Sequence, residues 1–218
     1  GLPLFAITIF WGAFLLFLVQ PLIGKYILPW FGGTPGVWTT CLLFFQCLLL
    51  GGYAYAHCLN HFFSLRKQVI IHGVLLVLAV ITLPITPSES LKPTGGESPT
   101  LQILLLLALS IGLPYLVLSA TGPLVQAWFA RTHPERSPYR LYALSNVGSL
   151  LALVGYPFLV EPWSTRTAQV NGWSLGMLLY GAACGWLAWR LYRAKDVGKV
   201  ELEESREETK LTKAMRWP

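Results

Sequence analysis

LPLFAITIFWGAFLLFLVQPLIGKYIL, residues 2–28, carries a single charged side chain, Lys25, and its first eighteen residues carry none. About 20 mainly apolar residues in a helix cross the hydrocarbon core of a bilayer, so this stretch reads as a membrane span that ends at residue 19 or continues past Pro21 to 28. It does not read as a cleavable signal: no basic region precedes it, it is too long, and no small-residue cleavage site follows. It is expected to stay in the membrane. Working outward, apolar runs of the same kind lie at 37–56, 69–83, 101–118, 141–160 and 173–191. The fourth has an apolar extension through Trp128 that reads as a re-entrant or interfacial piece, and the fifth is broken near Pro157. The third is short and the fifth is the least apolar, so five or seven spans are alternatives to six. The expected fold is all-α: a polytopic integral membrane protein of about six transmembrane helices, with a helical domain at 1–191 and a charged tail or linker at 192–218.

Composition agrees. The chain is 54% hydrophobic and 12% charged, against about 25% charged in an average soluble domain. Six of its ten acidic residues fall at 196–208, which leaves four glutamates in residues 1–195. The net charge of +6 does not point to nucleic acid, because the basic residues are spread between apolar runs instead of clustered on one face with aromatics. They are topology determinants instead. Arg66, Lys67, Arg131, Arg136, Arg140, Arg190, Arg193, Lys195 and Lys199 share one side, with Lys25, Lys92 and Arg166 opposite. That bias places both termini in the cytoplasm of a multi-pass protein of the cell inner (cytoplasmic) membrane. Nine tryptophans fit aromatic anchoring at the two lipid–water interfaces.

The Pro-, Gly- and Ser-rich stretch at 84–99 reads as an irregular outside loop. Cys41, Cys47, Cys58 and Cys184 lack metal-site or disulfide-scaffold spacing and read as free thiols. The tail mixes charges of both signs without a favourable i,i+4 ladder and reads as a solvated, partly helical linker. PLIGKYILPWF at 21–31 and PLVQAWF at 123–129 are similar and three spans apart, as in an inverted repeat.

A charged or strongly polar side chain inside hydrocarbon is costly and is a functional candidate by default. Lys25 sits among Pro21, Gly24, Pro29 and Gly32, which are expected to break or bend a helix there. With Gln20 it could form a solute or headgroup site, or it could snorkel to the outer interface. Glu161 falls on the same side and could pair with it. Gln126 and Asn146 complete the possible intramembrane polar set, and like Gln46 they could instead hydrogen-bond between helices. Small residues follow Asn146 at Gly148 and Ser149, where helices can approach closely. His57 and His61 share a helical face, with His72 nearby; haem or metal ligation there is the weaker alternative to hydrated interfacial histidines, since no acidic second-shell partner is in sequence. No cofactor is predicted. Arg131, His133, Arg136 and Arg140 form a patch for anionic lipid headgroups or an acidic partner. Phosphate-loop, dinucleotide, zincin and nucleophile-elbow motifs are missing, so the chain is not expected to be an enzyme.

Residues 17–57 (FLVQPLIGKYILPWFGGTPGVWTTCLLFFQCLLLGGYAYAH) and 112–162 (GLPYLVLSATGPLVQAWFARTHPERSPYRLYALSNVGSLLALVGYPFLVEP), with the spacing between them, resemble the N-terminal membrane region of spermidine-synthase-like proteins with a fused major-facilitator-like transmembrane domain. The resemblance covers nearly all of the chain up to about residue 191. It implies six helices like half of a transporter, followed in such proteins by further spans and an aminopropyltransferase-like domain. None of that domain's catalytic residues has a counterpart here. Three functions are therefore expected in turn: a non-catalytic membrane anchor or accessory subunit of a larger membrane complex, with lipids and other membrane subunits as partners; a half-transporter-like module for a small polar or cationic solute; or the membrane domain of a transferase whose catalytic domain lies elsewhere.

Overall fold

The computed structural model describes residues 2–93, 95 and 98–214, and from residue 195 onward the backbone alone. The last four residues of the charged tail, and the side chains of its acidic run, lie outside the described residues. The described chain is helical, with no strand. Seven helices follow one another: α1 (Leu2–Phe31), α2 (Pro35–Phe62), α3 (Leu65–Ile81), α4 (Pro99–Leu107), α5 (Leu113–Thr132), α6 (Tyr139–Gly155) and α7 (Arg166–Ala214). A π-helical turn at Ala108–Gly112 fuses α4 to α5, and another, Tyr156–Val160, extends α6. Among the described residues four helices are long and apolar enough to cross a membrane: Leu2–Phe31, Pro35–Phe62, Pro99–Thr132 and Tyr139–Val160.

Two sequence expectations are corrected here. α1 does not break at Pro21 or Gly24 but runs for 30 residues with Pro21 and Pro29 inside it. Proline removes one backbone hydrogen bond, yet α1 is packed on three sides by α5, α6 and α7, and that packing holds the axis. The helix ends instead at Gly32, whose φ of 86° is the left-handed conformation a terminating glycine accepts, and whose N–H donates to the Leu28 carbonyl at 2.8 Å. Pro35, pre-set for a first helical turn, then opens α2. The apolar extension through Trp128 is not re-entrant either: it is the continuous second half of α4–α5. The π turn before Pro114 is a wider loop of helix that accommodates a proline without an N–H to give.

α1 and α5 form the centre of the bundle. α1 packs against α6 and α7, α5 packs against α2 and α3, α3 also meets α7, and α1 meets α5. Exchanging α1 with α4–α5, α2 with α6 and α3 with α7 maps most of this packing onto itself, an arrangement that goes with the similarity between the segments at 21–31 and 123–129.

The interior is held by polar anchors as well as apolar side chains. Trp11 of α1 donates to the Gly176 carbonyl of α7, and Trp173 of α7 donates to the Leu15 carbonyl of α1, both at 2.9 Å. Trp128 is fully buried and donates to Gln68 Oε1, whose amide in turn donates to the Phe63 carbonyl. Thr121 and Tyr180 pair by their hydroxyls. Trp11, Trp128 and Trp173 are thus tied into the bundle through their indole N–H groups. His72 is corrected likewise: it is buried, edge-on to Trp128, with Nδ1 3.4 Å from the Tyr55 hydroxyl. Close approach is set by glycine. A Cβ at Gly148 of α6 would lie 2.7 Å from the Phe10 carbonyl of α1, and one at Gly52 of α2 would overlap Ser119 of α5.

Candidate functional site

α1 and α2 are joined by only three residues yet touch little, because α2 leans onto α5. The wedge between them, closed on its far side by α6, is a cavity of about 510 Å³. α1 contributes Gln20, Gly24, Lys25 and Leu28; α2 contributes Trp38, Cys41, Leu42 and Phe45; α6 and its π turn contribute Leu153, Tyr156, Pro157 and Glu161. Gly24 is needed, because a Cβ there would come within 3.2 Å of the Trp38 ring.

Lys25 Nζ lies 2.5 Å from Glu161 Oε1 and 5.9 Å from the centre of the Tyr156 ring. The π turn places Glu161: its N–H reaches back five residues to the Tyr156 carbonyl at 2.8 Å, and one extra residue per turn changes the direction of the side chain that follows. At the inner end of the cavity Gln20 Nε2 donates to the Tyr115 hydroxyl at 3.1 Å, and Phe45 packs against that ring. Aromatic rings also receive the other two cations at this end: Lys92 lies over Trp30, and Arg166 lies over Tyr26. The pair is partly open, with the Lys25 and Glu161 side chains 30% and 44% exposed.

Three of the five predicted polar residues, Gln20, Lys25 and Glu161, therefore meet in one cavity, and the expected ion pair forms. Gln126 and Asn146 do not join them. Gln126 is half-buried in α5 away from the cavity, and Asn146 is exposed on α6. Gln46 is also exposed on α2, so neither Gln46 nor Asn146 binds helices together within the described chain. Cys41 and Phe45 are cavity residues to which the sequence assigned no role in a site; their spacing of three and seven from Trp38, on one helical face, was the available signal.

The predicted basic patch divides in two. Arg131 turns to α2 and donates to the Asn60 carbonyl at 2.8 Å, while Arg136 and Arg140 line a separate hollow. His133 stacks on Phe129, with ring centres 4.9 Å apart. The rings of His57 and His61 stack 6.0 Å apart on an exposed face of α2.

This cavity can hold a small polar group between a cation, an anion and aromatic rings, in a neutral pair that exchanges partners without leaving net charge behind. Fold and site together define an all-helical protein with four helices built to cross a membrane. Comparison of the chain with family models, with curated proteins and with solved structures yields no match.

Proposed function

We propose that the chain is a non-catalytic membrane subunit that docks onto a larger membrane protein assembly through the outward faces of α2 and α6. One observation carries this reading: the amides of Gln46 and Asn146 stand exposed, without a partner among the described residues, on two helices of membrane-spanning apolarity. The most apolar windows of these helices are 28% and 17% buried, against 50% in α1 and 61% in α4–α5. An exposed amide facing lipid is left unbonded at a cost, whereas the same amide facing another apolar helix finds a partner. The occupant we assign to these faces is the helical surface of a different membrane protein.

In this reading α3 and α7 cross the membrane with the other four helices. Nine basic residues on one side against three on the other put both termini in the cytoplasm of an inner membrane. Photo-crosslinkers at Asn146 and Gln46 test the docking in native membranes, with exposed Val77 of α3 as the control. A single stoichiometric adduct from both positions, absent at Val77, is the expected result; lipid adducts alone from all three would sink it. Identification of the adduct by mass also tests the resemblance, under which an aminopropyltransferase-like chain would appear.

A second reading, a module for a small polar or cationic solute, draws on the meeting of Gln20, Lys25 and Glu161. Its weakness is position. Lys25 lies six residues, about 9 Å, from the end of a helix about 45 Å long, so a hydrocarbon core of about 30 Å leaves it close to the membrane boundary. Uptake of a labelled diamine into proteoliposomes, unchanged by Glu161→Gln, would remove this reading.

A further inference from the structure

At the basic end of the bundle, α1 begins, α5 ends and α6 begins within reach of one another. Between them lies a hollow of about 460 Å³ lined by Leu2 and Ala6 of α1, Phe129 of α5, Arg136 and Ser137 of the connecting loop, and Arg140, Leu141 and Leu144 of α6. Its chemistry changes over one helical turn. Arg140 stands at the mouth, and Leu144, four residues and about 6 Å further along the helix, faces the same hollow; across from them Leu2 and Ala6 make the same step on α1.

The arginines here differ from the others whose side chains are described. Arg66 lies over Tyr192, Arg166 over Tyr26, Arg190 over Trp186 and Arg193 over Trp189, and Arg131 is bonded to Asn60. Arg136 has only a loose contact with Glu135 at 3.9 Å, and Arg140 has no partner among the described residues. A guanidinium with free donors is suited to a phosphate, which it engages through two parallel hydrogen bonds. Walls that become apolar within one turn have no use for a free anion or a solvated acidic peptide, but they match the glycerol and first methylenes of a lipid.

From this geometry we infer that the hollow is a specific site for one anionic phospholipid, its phosphate held by Arg136 and Arg140 and its acyl chain laid along Leu2, Ala6 and Leu144. The site does not depend on the docking of α2 and α6. It is tested on the full chain, purified in detergent and stripped of lipid, by native mass spectrometry after adding phosphatidylglycerol or phosphatidylcholine. One phosphatidylglycerol per chain should survive activation that removes phosphatidylcholine. Arg140→Gln should lower its retention about ten-fold, and Arg131→Gln should leave it unchanged. Ala6→Phe, which fills the apolar wall and keeps both charges, should also lower retention. Equal retention of the two lipids would overturn the inference, as would equal loss in Arg131→Gln and Arg140→Gln. Displacement of the lipid by inorganic phosphate, or by an acidic peptide, would overturn it too. Should Arg140→Gln not fold, the comparison of lipids on the unaltered chain and the Ala6→Phe variant still decide.

Discussion

α1 and α6 are both apolar enough to span a membrane, and they pack against each other more extensively than any other pair, yet half of the α1 window is buried and only 17% of the α6 window is. Their polar atoms differ in the same sense. On α1, Trp11, Gln20 and Lys25 all find partners inside the chain, whereas on α6 Asn146 finds none. Apolarity says that a helix enters a membrane; where its polar atoms are satisfied says what it faces there. α1 bonds these groups within the chain, whereas α6 leaves Asn146, and α2 leaves Gln46, exposed and without a partner among the described residues.

The comparison breaks most sharply where helices nearly touch. Gly52→Leu forces α2 off Ser119 of α5 and should cost about 3 kcal/mol, toward the upper end for overpacking, read as a loss of thermal stability in detergent. Gly73, with nothing within 4 Å of its Cβ position, should tolerate alanine without loss. Next comes the interior polar network. Gln68→Leu strands the Trp128 N–H in a dry environment and should cost about 1–3 kcal/mol, while adding Trp128→Phe should recover part of that; strictly additive losses would show that the two side chains are not coupled. The half-open Lys25–Glu161 pair is weaker, and a double-mutant cycle should give a coupling of at most about 1 kcal/mol. The smallest effect belongs to the outward face. Asn146→Leu should leave the stability of the isolated chain within about 0.5 kcal/mol while weakening its retention in the native assembly. A large loss in the isolated chain would mean that Asn146 has an internal role and that the contrast between the two helices is wrong.

Much of this was legible in the sequence because apolar length is a local property. The spans at 37–56 and 141–160, and the longer of the two alternatives for the first span (2–19 or 2–28), fall within α2, α6 with its π turn, and α1 to within a few residues, and the common side of Lys25 and Glu161 followed from counting spans. What was not legible is rotation about each helix axis. Gln126, Asn146 and Gln46 were indistinguishable from Gln20 on the page, since the direction of a side chain depends on neighbours far away in sequence. The π turn at Pro157 compounds this by shifting the register ahead of Glu161. At Pro21 the local rule left two readings open, a span that stops at 19 and one that continues to 28, and packing around the central helix decided for the longer. His72, about two turns past the start of α3, looked like a boundary residue because nothing local reveals that α5 covers it with Trp128.

The reciprocal bonds from Trp11 to Gly176 and from Trp173 to Leu15 span 165 and 158 residues. α1 is synthesised before α7, so neither bond can close until everything between the two helices has been made. Until then something other than α7 covers the Gly12 and Leu15 surface of α1, and the seam is completed only when α7 takes that place.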